Sequence, residues 1–170
     1  MLYEKTIASP VGKLRLVASD KGLRYVGFDN SDERYAALDD ERQASDTHFI
    51  LLKAEKQLAE YFNRSRTVFD VPLELKGTVF QINAWRALQK IPHGETRSYG
   101  EQAASIGDAK KARAVGMANN RNPIPIIIPC HRVIGAGGAL VGYGGGLKRK
   151  EWLLALETNA LKNNKIANLS

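Results

Sequence analysis

The chain has 170 residues, 44% of them hydrophobic, enough for one domain with a substantial core or two small ones. Its single cysteine excludes an intrachain disulfide, and no His/Cys set has zinc-ligand spacing. No apolar run is long enough to cross a bilayer, and Met1–Pro10 mixes Glu4 and Lys5 with apolar residues, unlike a signal peptide; an intracellular, cytoplasmic protein without membrane contact is expected. The net charge of +7 is uneven: residues 1–76 hold 12 Lys/Arg against 13 Asp/Glu, and residues 77–170 hold 13 against 5. That asymmetry points to a near-neutral scaffold followed by a basic, nucleic-acid-binding module.

In chain order, Leu2–Ala8, Leu14–Ser19 and Leu23–Phe28 are strand-like runs separated by turn residues at Pro10-Val-Gly12 and Asp20-Lys-Gly22, the pattern of a meander. Residues 30–46 are charged and predict a loop with a short helix. Thr47–Phe62 is amphipathic, with Leu51, Ala54, Leu58 and Tyr61/Phe62 on one face. His48 is read there as a surface or helix-start residue. Thr67–Leu75 could add an extended segment, and a boundary is expected at Pro72–Gly77. Residues 1–75 thus read as an α/β scaffold, with no catalytic constellation.

The second half is punctuated like a helical domain. Thr78-Val-Phe-Gln81 and Ser98-Tyr-Gly-Glu101 are capping boxes, opening helices that stop at Ile91-Pro92 and Gly107. Phe80, Ala84, Leu88 and Ile91 recur at helical spacing, and Trp85 is expected to pack with them. Asp108 caps a third helix to about Asn120. A short helix, a glycine turn and a second helix read as helix-turn-helix. Lys110, Lys111 and Arg113 charge the start of that second helix, while Ala112, Gly116 and Ala118 keep it slim enough to lie in a groove between phosphates. Gly116 costs about 1 kcal/mol relative to alanine in a helix, and close approach to another backbone is the expected reason.

The run Pro123-Ile-Pro-Ile-Ile-Ile-Pro-Cys130 predicts a short buried strand at Ile126–Ile128, stiffened by prolines, that delivers the lone thiol. The glycines at 135–138 are expected to fold the chain back as a hairpin through Ala139–Tyr143. Gly144-Gly-Gly146 permits close backbone approach to a ligand. Lys148-Arg-Lys150 opens a last helix to about Glu157, and residues 158–170 predict a loose tail. A thiol needs help to ionise, and His131 is the candidate base. Neighbours on a strand face opposite ways, so direct contact would need a turn or a bridging water. Glu157, or in competition Glu151, could orient the imidazole. These residues alone suit a thiol acting on nucleic acid and a cysteine hydrolase equally.

The stretch from Pro123 to Ile134, with Ala112-Arg-Ala-Val-Gly116 before it and Gly142-Tyr143, Gly145-Gly146 and Lys150-Glu-Trp-Leu-Leu154 after it, resembles the O6-alkylguanine-DNA alkyltransferase family. The match spans roughly Thr78–Glu157, and Pro-Cys-His-Arg-Val is its most specific part. The resemblance implies a ribonuclease-H-like α/β domain at 1–75 and a helix-turn-helix, winged-helix-like domain at 78–157. It implies single-turnover transfer of an alkyl group from O6 of guanine (also O4 of thymine) in double-stranded DNA, after base flipping, to Cys130, without a cofactor.

By the same resemblance His131 acts as base through a water, Glu157 orients it, and Asn122 braces the turn before the strand. Tyr99 donates to N3 of the guanine and Arg113 fills the stack left by the flipped base. Lys110, Lys111, Ala112, Gly116 and Arg132 lie at the DNA, with the helix in the minor groove. Val133, Tyr143, Gly144 and Gly145 form the pocket. Gly144 stands where some members carry a serine, which predicts tolerance of larger alkyl groups. Some members hold a structural zinc through N-terminal cysteine and histidine; with one cysteine, no metal is expected. A monomer is expected. A non-catalytic lesion-binding protein and a helix-turn-helix regulator are the alternatives.

Overall fold

The computed structural model describes residues 1–28, 32–38 and 40–159. It divides into two compact units, Met1–Leu75 and the described residues from Lys76 onward. The tail expected at 158–170 lies, from residue 160, outside the described residues.

In the first unit β1 (Leu2–Ile7), β2 (Leu14–Ala18) and β3 (Leu23–Gly27) form the expected meander, Ile7 pairing with Leu14 and Arg15 with Gly27. Helix α1 (Glu33–Ala36) fills the charged connection. A strand that the sequence did not signal, β4 (Arg42–Ala44), pairs parallel to β1, giving the order β3-β2-β1-β4. Arg-Gln-Ala carries no alternation; this edge rests on backbone bonds such as Leu2 N–H to Glu41 O at 2.7 Å. Helix α2 (Phe49–Phe62) buries Ile50, Leu51, Ala54, Leu58 and Tyr61 against the sheet. The segment after α2 returns to β3, where Leu23 N–H donates to Pro72 O and Glu74 N–H to Leu23 O. Gly22 permits that approach, since a Cβ there would lie 2.6 Å from the Leu73 carbonyl carbon.

The second unit begins with α3 (Val79–Gln89), closed at its start by the Thr78/Gln81 capping box. Ala84, Trp85 and Leu88 are buried, and the Trp85 indole N–H donates to Ala118 O at 2.8 Å. Next come β5 (Arg97–Ser98) and α4 (Tyr99–Ser105), which opens on the Ser98/Glu101 box. Asp108 caps a 3-10 turn, Ala109–Lys111, that runs into α5 (Ala112–Asn120). A buried reciprocal amide pair locks α4 to α5: Gln102 Nε2 donates to Asn119 Oδ1 at 2.9 Å and Asn119 Nδ2 to Gln102 Oε1 at 2.8 Å.

Two expectations fail beyond α5. Ile126–Ile128 is not a strand: Ile126 has φ 73°, Ile128 N–H turns back to Ile124 O at 2.9 Å, and Cys130–Arg132 is a 3-10 turn. The run is apolar because the loop is buried, and periodicity cannot tell a buried loop from a buried strand. A left-handed β-branched residue stores about 1–3 kcal/mol of strain, which the surrounding packing sustains. The glycine hairpin is also absent: β6 (Val133–Ile134) pairs in parallel with β5, and the glycines fold into a 3-10 turn, Ala136–Gly138, closed by Gly135 N–H to Ala139 O at 2.7 Å. Helix α6 (Leu147–Glu157) ends the described unit, with Lys150, Trp152, Leu153, Leu156 and Glu157 buried.

Candidate active site

Cys130 is the first residue of the turn after the proline-rich loop, partly exposed, its N–H donating to Ile128 O at 2.8 Å. The loop is held by Asn122, fully buried, whose Nδ2 donates to Ile128 O at 2.8 Å and whose Oδ1 accepts from Ile124 N–H at 3.0 Å. The brace expected of Asn122 thus acts at both ends of a loop rather than at the foot of a strand.

His131 is fully buried, and its Nε2 lies 2.6 Å from Glu157 Oε2. An ionised carboxylate only accepts, so Nε2 carries the proton and Nδ1 presents a lone pair. Nδ1 is buried and meets no hydrogen-bond partner among the described residues. Burial pulls the His131 pKa below its ordinary value of 6.5; Glu157 opposes that, and the positive charges of Arg132 and Lys150 add to it. The imidazole is therefore neutral at pH 7, the form a general base requires.

Glu157 is the better-connected carboxylate. Oε1 accepts from Arg132 Nε at 2.8 Å and from Gly94 N–H at 3.2 Å; Oε2 accepts from His131 and from Arg132 Nη2 at 3.1 Å. Burial alone would raise its pKa, but the hydrogen bonds and charges of His131 and Arg132 hold it well below the ordinary carboxylate range. Glu151, the competitor, is exposed.

Arg132, expected at the DNA, lies elsewhere. It is 5% exposed, makes a fork to Glu157 and donates Nη1 to Ile91 O at 2.6 Å, so as placed its guanidinium has no reach to a phosphate. Gly116 has no backbone neighbour that demands glycine: the ring of Tyr99 lies beside it, 3.6 Å from where a Cβ would stand. Lys110, Lys111 and Arg113 are exposed on the 3-10 turn and α5, with Met117, Asn120 and Arg121 further along the same surface; Ala112 is half-buried. The Lys111 ammonium sits over the Phe80 ring at 5.6 Å.

The half-buried Tyr99, first residue of α4, donates its hydroxyl to Val141 O at 3.1 Å. Burial, and then the charge of Cys130, raise its pKa, so it stays a donor at neutral pH. Val133 is buried, Tyr143 and Gly145 half-buried and Gly144 exposed.

Two residues of this cluster escaped the sequence reading in their true role. Arg132, placed at the DNA by the resemblance, instead pairs with Glu157. Lys150, read as helix-opening charge, is fully buried and donates to Val133 O at 2.6 Å and Val141 O at 2.9 Å. Position 150 shares a helical face with Leu153 and Glu157, both buried.

The lone thiol, the imidazole held on Glu157 beside it and the exposed basic helix suit nucleophilic chemistry on a polyanion. Residues 79–159 match the family described as 6-O-methylguanine DNA methyltransferase, DNA binding domain, and residues 2–75 match its ribonuclease-like domain. A methylated-DNA–protein-cysteine methyltransferase of Methanosarcina acetivorans is 47% identical over 156 residues, 92% of this chain and 98% of the relative. One of Mycolicibacterium paratuberculosis is 49% identical over 160 residues, 92% and 93% of the two chains. The crystal structure of the Mycobacterium tuberculosis O6-methylguanine methyltransferase is similar with a TM-score of 0.84 at 45% identity, covering 95% of each chain. A crystal structure of the M. tuberculosis protein in complex with DNA gives a TM-score of 0.86 at 46% identity, covering 95% of this chain and 96% of that one.

Proposed function

We propose that Cys130, the chain's only cysteine, accepts the alkyl group and that O6-alkylguanine in duplex DNA donates it: the chain belongs to the 6-O-methylguanine DNA methyltransferase family and repairs DNA by alkyl transfer to cysteine. The observation that carries this reading is the turn itself. It presents the chain's only thiol next to an imidazole whose Nε2–H is fixed on Glu157 and whose Nδ1 lone pair is open.

The steps balance without an oxidant or cofactor. The target base leaves the stack, which costs a few kcal/mol, and the exposed basic face of α5 supplies compensating phosphate contacts, with Arg113 filling the gap. A water passes the Cys130 proton to His131 Nδ1. The thiolate attacks the alkyl carbon, the S–C bond forms as the C–O6 bond breaks, and the electron pair is delocalised over O6 and N3 of the guanine. Tyr99 exchanges Val141 O for N3, donating to the developing charge. The guanine anion takes up a proton at N1 as His131 gives its proton back through water, so guanine and S-alkylcysteine are the products and each molecule acts once. The exocyclic O4 of alkylthymine offers the same leaving group. The monomer is the working unit.

Intact-mass measurement after incubation with a duplex carrying O6-methylguanine tests the assignment. Wild type gains one methyl group and Cys130→Ala gains none; methyl transfer to the alanine variant, or none to a folded wild type, overturns it. Arg113→Ala is expected to slow reaction with duplex more than with the free base, and equal losses on both would remove its role in the stack. The lesion-binding and regulator alternatives have no use for this base–thiol arrangement.

A further inference from the structure

Lysine is almost never fully buried without a charged partner, yet Lys150 is 0% exposed and forms no ion pair with a carboxylate among the described residues. Its position is unfavourable in a second way: it lies in the first turn of α6 behind Lys148 and Arg149, with no acidic residue in that turn, where the helix dipole repels cations. Stability alone does not explain it. Its two acceptors are chemically informative. Val133 O follows the Cys130 turn, and Val141 O belongs to the glycine-rich segment and also accepts from Tyr99. One ammonium thus ties the backbone just after the Cys130 turn to the glycine-rich segment and, through the shared carbonyl, to the Tyr99 hydroxyl.

The ionisable groups whose charge bears on this site are Cys130 and His131 from the turn, Arg132 and Glu157 bonded to one another and to the imidazole, and Tyr99 of α4, which shares Val141 O with the ammonium. Burial lowers the Lys150 pKa, and the charge of Cys130 is what opposes that lowering. Building on the reading of Cys130 as acceptor, we propose that Lys150 is a positioning residue of the transfer site: its ammonium is the buried counter-charge of the Cys130 thiolate, and its two hydrogen bonds set the spacing of the pocket walls at Val133 and Val141. The thiolate and the ammonium stabilise one another reciprocally.

Because the chain has one cysteine, ultraviolet thiolate absorbance and the rate of iodoacetamide alkylation against pH report Cys130 alone, without DNA. Lys150→Met is expected to raise the titration midpoint by about one unit or more, leaving roughly tenfold less thiolate at neutral pH. Lys150→Arg restores most of the shift. A folded Lys150→Met protein with the wild-type midpoint overturns the proposal. If Lys150→Met does not fold, the reciprocal experiment decides: the Lys150 side chain, followed by NMR with labelled lysine, titrates at lower pH in Cys130→Ser than in wild type, and equal midpoints overturn the proposal. These readouts hold whether or not DNA is a substrate, so loss of the repair activity and loss of this coupling are separate results.

Discussion

Among the described residues of Met1–Leu75 the buried polar side chains are Arg24 and Gln57, and ion pairs such as Lys5–Glu55, Arg66–Glu60 and Arg24–Glu74 each keep at least one partner partly exposed. From Lys76 onward the buried polar side chains are Gln102, Asn119, Asn122, His131, Arg132, Lys150 and Glu157. The first unit is held by the ordinary match of strand alternation and an amphipathic helix. The second removes four ionisable groups from water, each at a desolvation cost of several kcal/mol. Such groups persist where geometry must be single-valued, and here they surround the one thiol.

The largest expected break of this contrast is Glu157→Gln. It leaves the Arg132 guanidinium buried without a counter-charge and takes the carboxylate from His131. A destabilisation of about 3–5 kcal/mol is expected, with transfer slowed by about 10²–10⁴-fold. Tryptophan fluorescence during denaturant unfolding measures the first, because Trp85 and Trp152, the chain's two tryptophans, both lie in the second unit. An unfolding midpoint within error of wild type would mean that Arg132 does not depend on Glu157.

Acid is expected to separate the units next. His131 has a folded pKa below 6.5, so below that pH the unfolded chain binds a proton that the folded chain refuses, and stability falls as pH falls. Glu157 is held below 4.5; its contribution is complete above that value and is lost as pH drops further. Each proton taken up only on unfolding removes about 1.4 kcal/mol per pH unit. Asp32, a half-buried acid of the first unit paired with Arg34, is held below 3.8 by Arg34 and Tyr25 against the effect of its partial burial, so its loss begins only there. Tryptophan-detected unfolding midpoints should therefore decline from about pH 6.5 and steepen near 4.5; a flat profile from pH 7 to 5 contradicts the burial of a neutral His131.

The amide pair between α4 and α5 gives a smaller, non-additive effect. Gln102→Leu leaves the Asn119 amide buried and unpaired, and about 1–3 kcal/mol is expected. Adding Asn119→Leu replaces both partners by apolar groups and should recover part of that loss. Purely additive losses in the double variant would show that the two amides act independently.

Legibility in the sequence follows the same division. β1, β2, β3 and α2 were readable because apolar periodicity and burial coincide there, and the two capping boxes were readable because their chemistry is local to four residues. β4 was not, since a three-residue edge held by backbone bonds has no side-chain pattern. Ile126–Ile128 was misread because its turn is imposed by the Asn122 amide acting across residues 122–128, which no periodicity carries. The pairing of His131 with Glu157 was legible by residue type. Arg132 and Lys150 were not, because a long cation is assigned to solvent unless something specifies its partner. Those partners, Glu157 for one and two carbonyls for the other, exist only after the chain has folded.

Arg66→Ala should give the smallest effect and bound the contrast from the other side. Arg66 Nε donates to Glu60 Oε1 at 3.1 Å and Nη1 to Val68 O at 2.7 Å, with about a quarter of its side chain exposed. Water competes for both contacts and mobile ions screen the charge, so the loss is expected to stay below about 1 kcal/mol and to shrink as salt is raised. The loss from Glu157→Gln should hardly change with salt, because no ion enters a carboxylate site whose side chain is 0% exposed. Equal salt sensitivity in the two variants would mean that solvent reaches Glu157, and with it the buried imidazole on which the proposed proton transfer depends.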